Sequence, residues 1–350
     1  MNLDLKTIRK CIRCGNCRAV CPVFEEEGWE STNTRGRIMI IKSLADGYNR
    51  SSEVLKSLNT CTTCGLCIEN CPAGINPPNL VEAARRELAS LGIMTEVQAE
   101  LHRNILGTGN TFGERVDRLA WLKDRRVLKK KADYIYFAGC LASFRYPETS
   151  SKAFEILSRF GATVLRNEQC CGSPLIRTGF DASPLIEHNL REIDRIGAST
   201  IVTGCAGCYT TLKNDYPRQI DVISISEFLA DHLQEMDLRR LNLQVTFHDP
   251  CHLGRLNKIY EKPRQVIEAI CSFKEMETNR KDARCCGGGG GVRAGYKDLS
   301  LRLATRRLDD IPQGVDCIIT SCPLCLRNLS DVSKDKKVMD IVELVALSME

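Results

Sequence analysis

Read as apolar and polar positions, the chain changes character near Ala132. Upstream, apolar residues recur at helical spacing. The stretch IMIIKSLADG, Ile38 to Gly47, follows Arg35-Gly36-Arg37 and predicts a helix with a glycine stop. Residues 79–89 and 97–106 carry the same period, Gly107 to Gly113 reads as a linker, and the basic stretch up to Lys131 reads as a further helix. Downstream of Ala132, short apolar runs alternate with amphipathic ones, and the pattern occurs twice. YIYFAGC, Tyr134 to Cys140, corresponds to VTFHDPC, Val245 to Cys251, each a predicted strand ending in a cysteine. IVTGCAGC, Ile201 to Cys208, corresponds to IITSCPLC, Ile318 to Cys325, each a strand that opens a CxxC pair. ISISEFLADHL and VMDIVELVALS close the two copies, and stretches such as ETSSKAFEILSRFG and PLIEHNLREIDRIG supply helices between strands. Alternation of this kind predicts an α/β layer in each copy, with the cysteines at the carboxyl ends of strands, where such sheets bind ligands.

The composition is unusual in one respect, the 20 cysteines among 350 residues. They cluster at ligand spacing behind a start, MNLDLKTIRKC, that has no apolar signal core, so metal binding in the cytoplasm is expected in place of disulfides. The first block is Cys11-x-x-Cys14-x-x-Cys17-x-x-x-Cys21-Pro22 and the second Cys61-x-x-Cys64-x-x-Cys67-x-x-x-Cys71-Pro72. This is the bacterial ferredoxin run, in which three thiolates hold one 4Fe-4S cube and the cysteine before proline holds the other. Two runs predict two cubanes, with Cys21 and Cys71 each turned to the opposite cluster. Zinc fits four cysteines in eleven residues with a trailing proline poorly.

Two further sets have five cysteines each: Cys140, Cys170, Cys171, Cys205 and Cys208, then Cys251, Cys285, Cys286, Cys322 and Cys325. Each contains an adjacent pair followed by glycine, and the second pair opens a run from Gly287 to Gly291 that must be a loop wrapped closely around something. A cubane needs four thiolates, so five with one adjacent pair suggest a bridged or opened cluster. Backbone N–H groups at the CxxC helix starts and after each pair would offset its negative charge. Cys271 and Cys317 fall outside both sets and read as core thiols. His248, Asp249 and His252 bracket Cys251, which leaves acid–base work for either histidine open beside a hydrogen-bonding role.

These residues resemble the CCG-domain iron–sulfur family of the heterodisulfide reductase type. GCAGCYTTLKNDYP, HDPCHLGRLNKIYEKPR, CCGGGGG and TSCPLCLRNL carry the likeness, behind the two ferredoxin runs. It implies an α-helical, two-cluster 4Fe-4S ferredoxin-type domain followed by two duplicated α/β CCG domains. The expected division is 1–107 for the helical domain, 108–131 for a linker and basic helix, and 132–240 and 241–350 for the CCG domains. By resemblance, each five-cysteine set holds a noncubane 4Fe-4S cluster, and electrons pass through the cubanes to these clusters, where the coenzyme M–coenzyme B heterodisulfide of methanogenesis is reduced to two thiols. A membrane cytochrome b or a flavoprotein would donate the electrons, and the chain would sit peripherally on the cytoplasmic face of the membrane through that partner. Sulfonate and phosphate groups on the substrate would call for cations, with Arg145, Arg177, Arg255, Lys258 and Arg293 as candidates. The iron–sulfur subunits of flavin-linked glycolate and D-lactate dehydrogenases share the ferredoxin runs, the RGR segment and CCG domains, so a pure electron conduit is the alternative. A subunit of another anaerobic membrane redox complex, and an assembly subunit with structural clusters, are further ones.

Several classes are disfavoured by the sequence. The net charge of +5 does not argue for nucleic acid, and the basic run from Arg125 to Lys131 reads as a solvated face. The glycine run is neither a P-loop nor a dinucleotide fingerprint. No window approaches the roughly eighteen uninterrupted apolar residues that a spanning helix requires.

Overall fold

The computed structural model describes residues 5–48 and 51–350. Its first part is helical and two-fold repetitive in its own right. Each cysteine run turns through two left-handed residues, Arg13 and Gly15 in the first and Thr63 and Gly65 in the second, before a short helix, Asn16–Ala19 or Leu66–Glu69. Such turns point successive backbone N–H groups inward, toward an anionic guest.

Between the runs, the expected helix is present but starts earlier, as Thr34–Ala45, with the Asn33 side chain accepting from Gly36 N. The RGR segment is its first turn. A Cβ on Gly36 would overlap the carbonyl of Glu30, so only glycine lets the helix close on the turn before it. Arg37, 1% exposed, points inward and donates to Ser57 O and Thr60 Oγ1. Helices Pro77–Ser90 and Glu96–Thr108 match the expected periodicity with slightly wider limits, and a capping box between Thr95 and Gln98 starts the second.

The stretch 108–131 departs from expectation. No basic helix forms there: beyond Thr108, which ends the preceding helix, one 3-10 turn, Arg125–Val127, is all the helix it contains, with Asp124 capping Arg126 N. The chain instead straps the first sheet, because Leu119, Trp121 and Leu128 are pulled into the core and Trp121 lies edge-on to Tyr136 and Phe154. Nor is the glycine-rich part before it free. Buried Asn110 accepts from Phe112 N and Glu114 N, and Cys170 N donates to Gly109 O at 2.7 Å.

The duplication gives two sheets of one topology. In the first, β1 (Tyr134–Tyr136), β2 (Thr163–Val164), β3 (Thr200–Thr203) and β4 (Asp221–Ser224) lie in the order β2-β1-β3-β4. In the second, β5 (Gln244–His248), β6 (Ser272–Phe273), β7 (Cys317–Thr320) and β8 (Lys337–Asp340) lie in the order β6-β5-β7-β8. All pairs are parallel, and β1, β3, β5 and β7 are almost wholly buried, as expected of strands covered on both faces. The chain leaves β1 toward β2 and returns on the other side to β3, so the crevice between the carboxyl ends of β1 and β3 is a topological switch point. Cys140 follows β1 and Cys205 follows β3; Cys251 and Cys322 stand likewise after β5 and β7.

The copies pack on each other by equivalent helices. Pro147–Arg159 of the first packs on Ile341–Met349 of the second, and Glu261–Ile270 of the second packs on Ile225–Asp231 of the first. This is a pseudo-two-fold relation between the copies. Cys271 and Cys317 are buried in this apolar cluster, as their sequence context suggested.

Close backbone approaches and a buried arginine help tie the helical part to both sheets. The glycine run accommodates it: a Cβ on Gly289 would stand 2.7 Å from Thr62 O, and one on Gly290 would overlap Cys61 O. The object wrapped by the loop is thus the backbone of the second ferredoxin run. Arg85, 2% exposed, donates to the carbonyls of Leu58, Cys61, Arg177 and Gly290, which belong to all three parts of the fold. Removing this donor would leave several buried carbonyls without a partner, at about 1–3 kcal/mol for each that water cannot reach. Arg85→Met is expected to lower stability by about 2–4 kcal/mol, while exposed Arg86→Met changes it by less than about 0.5 kcal/mol. Anaerobic urea unfolding of the iron-replete chain measures both.

Candidate metal centre

The structure sorts the cysteines into groups that cut across the sequence blocks. Cys17 lies among Cys11, Cys14 and Cys71, and its thiol is pushed up to about 11 by burial first and then by those three neighbours. A cavity bounded by Cys11, Cys14, Cys17, Cys71, Arg35 and Ile38 occupies the space between them. Cys21, in contrast, feels the charge of Cys61 and Cys64, and Cys67 that of Cys64, Cys61 and Cys21. The cysteine before each proline therefore faces the other run.

The remaining ten ligand-spaced cysteines form a continuous succession of sulfur contacts. In the first copy it runs from Cys140 to Cys170, Cys171, Cys208 and Cys205, and in the second from Cys251 to Cys285, Cys286, Cys325 and Cys322. The two successions meet where Cys205 and Cys322, equivalent members of the two copies, are neighbours in one buried cluster and shift each other's ionisation. A contact of another kind breaks the symmetry: Cys64 of the ferredoxin run packs with Cys285, and among the described residues no ferredoxin-run cysteine stands in this way against the first copy. Neighbouring thiols hold the ionisation of the succession unevenly. Cys171 is lowered to about 6 by donation from Cys170 and then Cys208, and Cys286 is drawn down by Cys285 and then Cys325. Conversely, hydrogen bonding to Cys171 pushes Cys208 up, and hydrogen bonding to Cys286 pushes Cys325 up. Thiols crowded in this way, at the mouths of two switch points and with Gly287 N 3.3 Å from Cys285 Sγ, fit polynuclear iron–sulfur groups, whose thiolate ligands are anionic and accept such N–H donors.

Comparison with known proteins agrees with this donor set. A family described as a cysteine-rich CCG domain matches residues 134–213 and 245–330, and one described as a 4Fe-4S dicluster domain matches residues 7–75. The chain is 33% identical to the D-type subunit of the dihydromethanophenazine:CoB–CoM heterodisulfide reductase of Methanosarcina barkeri, with 98% of this chain and 94% of that protein aligned. The chain belongs to the CCG-domain iron–sulfur family of heterodisulfide reductase subunits. Proteins named for other activities are also similar to it. The B-type subunit of the fumarate reductase (CoM/CoB) of Methanothermobacter marburgensis is 35% identical, with 99% of this chain and 73% of that protein aligned. EtfAB:quinone oxidoreductase of Syntrophomonas wolfei is 26% identical, with 99% and 59% aligned. As a CCG-family member the chain is an iron–sulfur oxidoreductase. No helix among the described residues is long and apolar enough to cross a membrane.

Around the CCG cysteines, the charged residues that matter most are ones without a sequence signal. Arg118, in the strap between domains, donates to Cys140 Sγ at 3.3 Å and pairs with buried Glu168 at 2.8 Å. Glu168 in turn accepts from the backbone N–H groups of Ala138 and Gly139, which shapes the turn that presents Cys140. Arg255, one of the five expected cations, is buried and acts in the second copy. It donates to Cys64 O at 2.8 Å and to Ala283 O, and is coupled to the thiols of Cys64, Cys251 and Cys285. The other four have protein partners already. Arg145 pairs with Glu114, Arg177 with Glu82 and Asp215, Lys258 with Glu69, and Arg293 with Asp331. His248 and His252 are both neutral: burial pushes the first down to about 3, aided by the Arg307 guanidinium, and the second to about 4, aided by Arg177.

The crossed grouping makes a spectroscopic prediction. Cys17→Ser and Cys71→Ser are expected to lose or alter the same 4Fe-4S signal in the electron paramagnetic resonance spectrum of the reduced protein. Cys64→Ser and Cys21→Ser are expected to alter the other one. Pairing by sequence block, Cys17 with Cys21, would contradict the geometry.

Proposed function

We propose that the chain is the disulfide-reducing subunit of a heterodisulfide reductase-type complex. In this reading Cys11, Cys14, Cys17 and Cys71 hold one cubane, and Cys61, Cys64, Cys67 and Cys21 hold the second. Cys140, Cys170, Cys171, Cys205 and Cys208 hold one noncubane 4Fe-4S cluster, and Cys251, Cys285, Cys286, Cys322 and Cys325 hold the other. The observation that carries the proposal is the meeting of Cys205 and Cys322 across the pseudo-two-fold. It sets two chemically equivalent sites face to face, which suits a substrate whose two sulfurs must be separated and each given an electron.

When loaded, the clusters supply one-electron redox chemistry and iron sites for sulfur. The chain's own residues do the rest. Cys14 is exposed and Cys11, Cys17 and Cys71 are partly so, which makes the first cubane site the natural place for a donor protein to deliver electrons. Cys64 against Cys285 then leads to the second CCG site, and Cys322 against Cys205 onward to the first. Arg118 and Arg255 set fixed positive charge beside the two cysteine sets without solvent having to reorganise around them. The apolar packing of Cys64, Leu66 and Cys285 keeps water from the junction between domains. The substrate in this reading is the coenzyme M–coenzyme B heterodisulfide, and the donor is a membrane cytochrome b or a flavoprotein, with the chain held on the cytoplasmic face of the membrane through that partner.

A second reading, an electron conduit to a flavoprotein dehydrogenase or a quinone, is favoured by the likeness to EtfAB:quinone oxidoreductase. One experiment separates them. The anaerobic, iron-replete chain, reduced with a viologen dye, is expected to release two thiols per heterodisulfide. Cys286→Ser should abolish this with both cubane signals intact, and Cys271→Ser, a core thiol, should retain it. Normal cluster reduction without thiol release would establish the conduit instead.

A further inference from the structure

The halves of the pseudo-two-fold carry the same five cysteines but not the same residue behind them. Three positions before the strand-end cysteine the second copy has His248 and the first has Phe137, at 1% and 0% exposure. A ring nitrogen of His248 lies within 4.8 Å of the sulfurs of Cys286 and Cys325, which are themselves 3.4 Å apart. That closeness would suit a metal ligand, but the hydrogen bonding excludes it. Arg307 Nε, which can only donate, lies 3.0 Å from His248 Nδ1, so Nδ1 accepts and the ring proton resides on Nε2. Arg307 cannot swing away, because it is fully buried and bound to Asp310 and to Thr278 O. Nε2–H has no partner among the described residues despite its burial. A buried donor of fixed tautomer, free of other duties and on a ring that stands by two ligand-spaced sulfurs, suits an acceptor brought by a guest.

We propose that His248 Nε2–H donates a hydrogen bond to a sulfur of the group held by the second cysteine set, and thereby makes that set the more easily reduced of the two. The inference rests on the reading that both sets hold iron–sulfur clusters. A hydrogen bond to cluster sulfur stabilises the added negative charge of the reduced state and raises the potential. Phe137 offers no such donor to the first set. The asymmetry matches the wiring, since Cys64 packs with Cys285 of the second set, and electrons leaving the ferredoxin-type domain meet the better acceptor first. His248 is in this sense a positioning residue for charge, and takes no proton from the substrate.

The test is a redox titration of the iron-replete chain followed by electron paramagnetic resonance, preceded by iron and sulfide analysis of the wild type. In His248→Phe, one CCG midpoint should move to a more negative potential while the other stays. His248→Gln, whose amide keeps an N–H donor, should bring it back toward the wild-type value. Pulsed spectra after exchange into D2O should show a proton coupled to the reduced second cluster in the wild type and lose it in His248→Phe. Unchanged midpoints at full iron content would overturn the inference. Loss of one cluster's iron in both variants would also overturn it, by making His248 a ligand or a structural prop. If the wild type binds no iron beyond the ferredoxin-type domain, the cluster reading falls first, and that result is distinct from either of the others.

Discussion

Cysteine sulfur crowded into sites that are mostly buried is the constraint on which the rest of this structure depends. Thiolates repel one another, and burial removes the solvent that would screen them, so the protein must supply fixed positive charge and N–H dipoles of its own. It does so with buried arginines held by backbone carbonyls or by acidic partners: Arg37 near Cys21, Arg118 on Cys140, and Arg255 by Cys64 and Cys285. Guanidinium suits the task, because one planar group can satisfy several carbonyls and still face a sulfur. Each such arginine is also a cross-link between chain segments far apart in sequence. Charge compensation and domain assembly are therefore one arrangement, in which the cysteine sites and the interfaces between domains stabilise each other.

Duplication explains the geometry and divergence explains its direction. Two parallel sheets with the same strand order each create a switch point, and packing by equivalent helices turns these toward a shared axis. Symmetry alone would make the two sites interchangeable. The ferredoxin-type domain removes that equivalence, because it presses on the glycine run of the second copy only and brings Cys64 to Cys285. A single asymmetric contact converts a symmetric pair into a near and a far site. The residues behind the cysteines have diverged accordingly, with Arg307 and His248 in one copy and Phe137 in the other.

Much of this was legible from the sequence because metal ligation and helix periodicity are local. The spacing of Cys11 to Cys21 and of Cys61 to Cys71, the two CCG sets and the strand ends that present them repeat within short windows, and the repeat itself gave the α/β layers. The apolar period located the helices over 38–47, 79–89 and 97–106, although each starts earlier in the structure, at Thr34, Pro77 and Glu96. The stretch 108–131 misled for the same reason. Its basic composition is a local property, whereas its path is set by Trp121 and Leu128 docking on a sheet formed later in the chain.

What the sequence could not determine are the relations that depend on distance through space. Arg118, Glu168 and Arg307 are ordinary charged residues along the chain, and only folding places them beside Cys140 or His248. The five cations singled out for lying near cysteine motifs mostly prove to have carboxylate partners, because nearness in sequence says nothing of which acid the fold brings to each. The run from Gly287 to Gly291 announced a close approach without revealing that the approaching object is the backbone of Cys61 and Thr62. By itself the sequence determined which thiols stand at metal-ligand spacing, since that spacing is written in the chain. Tertiary structure alone decided how those sites are ordered and joined, because the contacts of Cys205 with Cys322 and of Cys64 with Cys285 exist only once three separately encoded parts have packed.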